Sequence, residues 1–102
     1  MQEYITITHI NDFYGFEYFR PGMILTLRKD HDNPYDDEAV TVFMNEVKCG
    51  YVANSVATVC RGTHSAGFLQ HLFNERMECI ARFISEDFII AELKLSTEEG
   101  KG

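Results

Sequence analysis

The chain has 102 residues, 45 % apolar and 13 % aromatic, which is one domain's worth and enough to bury a core without metal or disulfide staples. Sixteen acids against nine Lys and Arg leave a formal charge of −7, so long-range attraction to nucleic acid is absent and a phosphate-bearing partner must be met by a local pocket. No apolar run reaches the ~20 residues that cross a bilayer, and the first residues lack the basic-then-apolar layout of a signal peptide, so a cytoplasmic protein with no membrane partner is expected.

Tyr4 to Ile10 alternates, with Ile5, Ile7 and His9 on one face and Tyr4, Thr6 and Thr8 on the other. That predicts a strand with His9 turned to the core. An aromatic loop, Asp12 to Arg20, follows, and Pro21-Gly22 closes it as a turn. Met23, Leu25 and Leu27 alternate with polar or outward residues in a second strand. A polar loop spans Asp30 to Asp37. Ala39 to Met44 is a third strand, Asn45-Glu46 a tight turn, and Val47 to Val52 a fourth strand. Asn54 or Ser55 caps a predicted helix carrying Val56, Val59 and Cys60, and Gly62 ends it. A second short helix is predicted near Ser65 to Asn74. Arg76 to Ile84 and Phe88 to Leu95 complete six strands, with Met77, Cys79, Ala81 and Phe83 on one face of the fifth. So many short strands in so short a chain favour a curled antiparallel sheet or partly open barrel, mainly β, with one or two short helices plugging an end. Residues 1–95 are expected to form the single domain and 96–102 a flexible tail.

Candidate chemistry is sparse. Cys49, Cys60 and Cys79 are odd in number and widely spaced, which fits small buried apolar residues in a reducing compartment rather than disulfides. Cys60, His64 and His71 form the one close Cys/His set, but a fourth zinc ligand is missing. The loop Asp30 to Glu38 holds five acids in nine residues. Asp30 and Asp32 fit a calcium loop, yet Pro34 and Tyr35 break its next positions and Thr41 stands where the bidentate Glu belongs. Zinc or another divalent metal is therefore a minor alternative, and no cofactor is expected. There is no P-loop, nucleophile elbow or legible triad, so the chain does not read as an enzyme. Phe13, Tyr14, Phe16, Tyr18 and Phe19 cluster within seven residues, either as core and rim packing or as a platform on which bases stack.

One stretch is more specific. Leu27-Arg28-Lys29-Asp30-His31-Asp32-Asn33-Pro34-Tyr35-Asp36-Asp37-Glu38-Ala39-Val40-Thr41-Val42, followed by Cys49-Gly50-Tyr51-Val52, resembles the signature of the HIRAN domain. The resemblance spans roughly residues 4 to 95 and is strongest over 27 to 52. It implies an OB-like β-barrel and a DNA-repair setting. In replication-fork-remodelling translocases this domain captures a free 3′ end of single-stranded DNA, and small bacterial proteins carry it alone. It implies a pocket in which Asp36 accepts a hydrogen bond from a terminal 3′-hydroxyl while Tyr35 and an aromatic from Phe13-Tyr14 stack on the last bases. Tyr51, Asn54, Arg28 and Lys29 join the implied nucleic-acid-binding set. Asn33 and Pro34 shape the turn, because Asn before Pro initiates turns and satisfies nearby backbone.

This sequence departs from the pattern at several positions. Lys29 stands for Arg, His31 for Pro, Glu38 for Asn and Ala53 for Pro. Asn54 falls near a Lys of the DNA-binding members, and Asp12 near a Tyr. Arg28, Lys29, Lys48 and Arg61 could supply a local basic patch. The first expectation is thus a single-stranded DNA-end binding module. The second is an acidic protein-interaction or regulatory module that keeps the fold without DNA affinity, and the third is a metal-dependent hydrolase on the acidic loop.

Overall fold

β-branched and aromatic residues in two-residue alternation build six strands: β1 (Tyr4–Thr8), β2 (Ile24–Lys29), β3 (Val40–Met44), β4 (Val47–Val52), β5 (Arg76–Ile84) and β6 (Ile89–Leu93). The computed structural model describes residues 2–95, and the expected tail at 96–102 lies outside them. Among the described residues, helix is limited to one turn, α1 (Ala66–Leu69), and two 3-10 turns at Ile10–Asp12 and Phe16–Tyr18. Asn45 and Glu46, at φ 50° and 72°, make the two-residue hairpin between β3 and β4.

The strands are antiparallel and close in the order β1-β4-β3-β2-β5-β6. The barrel is therefore closed, where the sequence reading expected a partly open one. Closure depends on β1, which pairs with β6 through Tyr4↔Glu92 to Ile7↔Ile89 on one side. On the other side it meets β4 only at Ile7↔Val52 and Thr8↔Tyr51. These pairings join chain segments that are remote in sequence, so no local pattern announces them. Ile5, Ile7, Leu25, Leu27, Val40, Val42, Cys49, Cys79, Ala81, Ile89 and Ala91 fill the interior, and Ala66 and Leu69 of α1 join the same core. Burial pushes the Cys49 thiol up to about 12 and raises that of Cys79 as well, which keeps both inert.

Where β1 parts from β4, the connection between β4 and β5 takes over its ladder. Ala53 N donates to Thr6 O at 2.8 Å, and His64 N to Tyr4 O at 2.8 Å. Thr6, expected on the outer face, is consequently buried under this connection. Its hydroxyl sits in a ring of hydrogen bonds. Cys60 N donates to Thr6 Oγ1 at 3.1 Å, Thr6 and Thr63 hydroxyls lie 2.7 Å apart, and Thr63 Oγ1 donates to Cys60 O at 2.7 Å. Thr6→Val keeps the shape but leaves the Cys60 N–H without its acceptor. The expected cost is about 1–3 kcal/mol of unfolding free energy, read by denaturant melts.

Three further sequence expectations are corrected. Residues 54–62 form turns rather than a helix. Thr58 N and Val59 N both donate to Ser55 O at 2.9 Å, Val56 is fully exposed, and Cys60 N is drawn to Thr6. Three apolar positions among β-branched neighbours give too little face to bury. The helix expected over Ser65 to Asn74 shrinks to the four residues of α1. Phe83 is exposed because the β5–β6 register shifts between Ala81 and Phe83, and such a bulge reverses the alternation beyond it.

Gly50 shows why β4 carries a glycine. A Cβ there would stand 2.9 Å from Ile7 Cγ2 and 3.0 Å from Thr8 O. The end of β1 rests directly on the backbone of β4, which fixes the position of the residues that follow Thr8.

Candidate nucleic-acid interface

The polar loop between β2 and β3 is ordered by its own side chains. Asn33 Oδ1 accepts from Tyr35 N at 2.8 Å and from Asp36 N at 3.0 Å. Asn33 thereby makes the turn that Pro34 stiffens. Asp30 Oδ1 accepts from Asp32 N at 3.3 Å, and Asp36 Oδ1 from Glu38 N at 2.9 Å. Backbone amides thus engage acids that composition suggested for a metal. Among the described residues, no three His, Cys, Asp or Glu side chains gather where a metal ion could be held. His64 is instead paired with Glu3 and stacked on Phe68 with ring centroids 3.9 Å apart.

The turn projects Tyr35 into solvent, where it is 95 % exposed, and holds Asp36 half-buried beside it. Both line a groove of about 610 Å³ together with Asn33, Tyr51, Asn54 and His9. Thr8, Ser55 and Thr58 add hydroxyls to its wall. Asn54 is the keystone. Its Nδ2 donates to Asp36 Oδ2 at 3.3 Å and to Glu38 Oε1 at 3.1 Å, while its Oδ1 accepts from Gly67 N at 2.8 Å. The side chain ties the loop, the exit of β4 and the start of α1 together. Gly67 permits this closeness, because a Cβ there would fall 2.8 Å from Glu38 Oε1. A carboxylate has about four lone-pair sites, and two hydrogen bonds leave Asp36 with capacity for a further donor.

The other residues implied by the resemblance are placed differently. Phe13 reaches the groove only through Tyr51, with ring centroids 6.0 Å apart. Tyr14 is exposed but packs edge-on to Tyr18 at 5.8 Å, outside the groove lining. Arg28 lies over Phe43 at 4.6 Å and pairs with Glu46 at 3.8 Å. Lys29 Nζ donates to Gln70 O at 3.0 Å and covers Phe73 at 5.1 Å. Neither cation lines the groove, because Arg28 has its partners on β3 and in the β3–β4 turn and Lys29 has its partners just after α1. Arg61 borders a separate depression with Tyr4 and Phe88. The four cations therefore do not form a patch at the groove. Lys48 alone approaches it, with Nζ 5.7 Å from the Tyr51 ring centroid. Among the described residues, no Lys or Arg is in the groove lining.

His9 differs most from the sequence reading. β1 ends at Thr8, and His9 adopts the left-handed conformation at φ 62°, ψ 20°. Its side chain leaves the inward face that alternation assigned to it, is 57 % exposed, and meets the Tyr51 ring edge-on at 6.1 Å. The hydroxyls of Thr8, Ser55 and Thr58 were also missed. The adjacent Tyr51-Val52-Ala53-Asn54 run was the available signal, since it carries the chain along the same wall.

Comparison with known proteins agrees with this architecture. The family model for the HIRAN domain matches residues 4–69. No curated protein matches the sequence. Among solved structures, the crystal structure of the HIRAN domain of human HLTF superimposes with a TM-score of 0.67 at 17 % identity, covering 90 % of this chain and 72 % of that one. HIRAN domains are nucleic-acid-binding modules rather than catalytic ones. With the signature over the groove loop, the closed six-stranded barrel and the family match across most of the length, the chain belongs to the HIRAN domain family.

Proposed function

We propose that the chain binds single-stranded DNA in this groove and takes a free 3′-hydroxyl end. The observation that carries the reading is Tyr35, 95 % exposed on an ordered turn, standing beside a half-buried carboxylate in a concave wall. An aromatic ring in solvent stacks on any base, whatever the sequence. The remaining acceptor capacity of Asp36 suits a terminal hydroxyl, while its charge repels a terminal phosphate. Tyr51 adds a second aromatic ring to the groove lining.

Fluorescence anisotropy with a 3′-hydroxyl oligonucleotide and its 3′-phosphate twin at low salt tests this. The hydroxyl form is expected to bind tighter, and Asp36→Asn to narrow the difference. Equal affinity for both forms, or no binding, overturns the proposal. A second reading draws on the groove lining, which lacks Lys and Arg among the described residues of a chain carrying −7: an interaction module for a protein partner. Absence of binding to both oligonucleotides, alongside retained association with a nuclease-treated protein partner, would favour it.

A further inference from the structure

We infer that His9 is the groove's contact to an internucleotide phosphate and that its proton sets the affinity. The inference rests on the single-stranded DNA reading and adds a residue and a regulation to it. A strand with its end at Asp36 carries a phosphodiester one nucleotide inward, and that anion needs a donor. The groove offers hydroxyls from Thr8, Ser55 and Thr58, and His9 is the lining side chain that can become a cation.

The geometry fixes which nitrogen is available. His9 Nδ1 lies 3.0 Å from Asp12 Oδ2. Asp12 accepts the Nδ1 proton, so Nε2 is the second, unassigned nitrogen of the ring. In neutral His9 that Nε2 is a bare acceptor and turns a phosphate oxygen away. In protonated His9 it is a charged donor, and Asp12 balances the charge from behind. The Tyr51 ring, edge-on at 6.1 Å, restrains the imidazole against the wall of the groove. The charged and titratable groups around His9 are Asp12 on the 3-10 turn, Tyr51 and, over its ring, Lys48 on β4, and Asp36 with Tyr35 on the opposite loop. A phosphate oxygen held at Nε2 interacts more favourably with the protonated ring than with the neutral one, so proton uptake and strand binding reinforce each other.

The test is anisotropy with a 3′-hydroxyl oligonucleotide from pH 8 down to pH 5.5, on the whole chain. Affinity is expected to rise about tenfold, the scale of one charge-assisted hydrogen bond. His9→Gln is expected to flatten the profile, so that affinity at pH 5.5 no longer exceeds affinity at pH 8. His9→Lys is expected to hold the high affinity at pH 8. An oligonucleotide with uncharged methylphosphonate linkages next to its 3′ end is expected to lose the pH dependence with the unaltered protein. A 3′-hydroxyl preference with a flat pH profile, or a profile that survives in His9→Gln, overturns the inference and leaves the parent reading standing. No binding at either pH overturns both.

Discussion

Leu69→Ala lowers the unfolding free energy by about 2–5 kcal/mol, the cost of emptying a fully buried leucine site. Domains of this size hold only about 5–15 kcal/mol in total, and each kcal/mol is about 4–8 °C of melting temperature. The change therefore shows directly in a thermal melt. It also reaches the groove. Leu69 anchors α1, a helix of four residues that has little stability of its own. Through that anchor, Gly67 N holds Asn54 and Gln70 Nε2 donates to Glu38 O at 2.8 Å. Loss of the anchor frees both partners of Asp36's loop, so oligonucleotide affinity falls together with stability. A loss below about 1 kcal/mol would contradict the packing role assigned to Leu69.

Tyr35→Ala has the opposite signature. At 95 % exposure the ring buries almost nothing in the folded protein, so the melt should move by less than about 0.5 kcal/mol. The turn survives because Asn33 holds it through backbone amides, which alanine keeps. Single-strand binding, by contrast, should weaken by about 1–3 kcal/mol, roughly 5- to 150-fold, the worth of one base stacked on an aromatic. The same titration repeated across salt checks the electrostatics. A groove whose lining lacks Lys and Arg among the described residues releases about one counterion at most. Affinity should then fall less than about threefold between 50 and 200 mM salt. An unchanged affinity in Tyr35→Ala, or a steep salt slope, would place the strand elsewhere on the surface.

The six strands were legible because their alternation is local, and the hairpin at Asn45-Glu46 because turn chemistry is local too. Asn33 was legible for the same reason: an Asx residue before proline satisfies its own neighbours wherever the fold puts it. Closure was not legible. It depends on Tyr4 to Ile7 finding Ile89 to Glu92, and no short window contains both. Thr6 and His9 failed together for one physical reason. Alternation assumes a strand that continues and has one solvent face, whereas β1 is covered on its second face by residues 60–64 and stops at Thr8. Arg28 and Lys29 lie on the family signature, but a signature carries no side-chain direction, and each found a closer aromatic and a closer acceptor.

The short meeting of β1 with β4 has a consequence for ligand linkage. The groove wall is drawn from the exit of β1, the exit of β4, the connection after it and the loop before β3. A strand lying across them would act as a clasp over the part of the barrel with the fewest rungs. Its binding energy would feed into unfolding as RT ln(1 + [L]/Kd), about 2.7 kcal/mol at a hundredfold excess over Kd. Occupancy would thus stiffen the stave of the barrel that its own hydrogen bonds hold least.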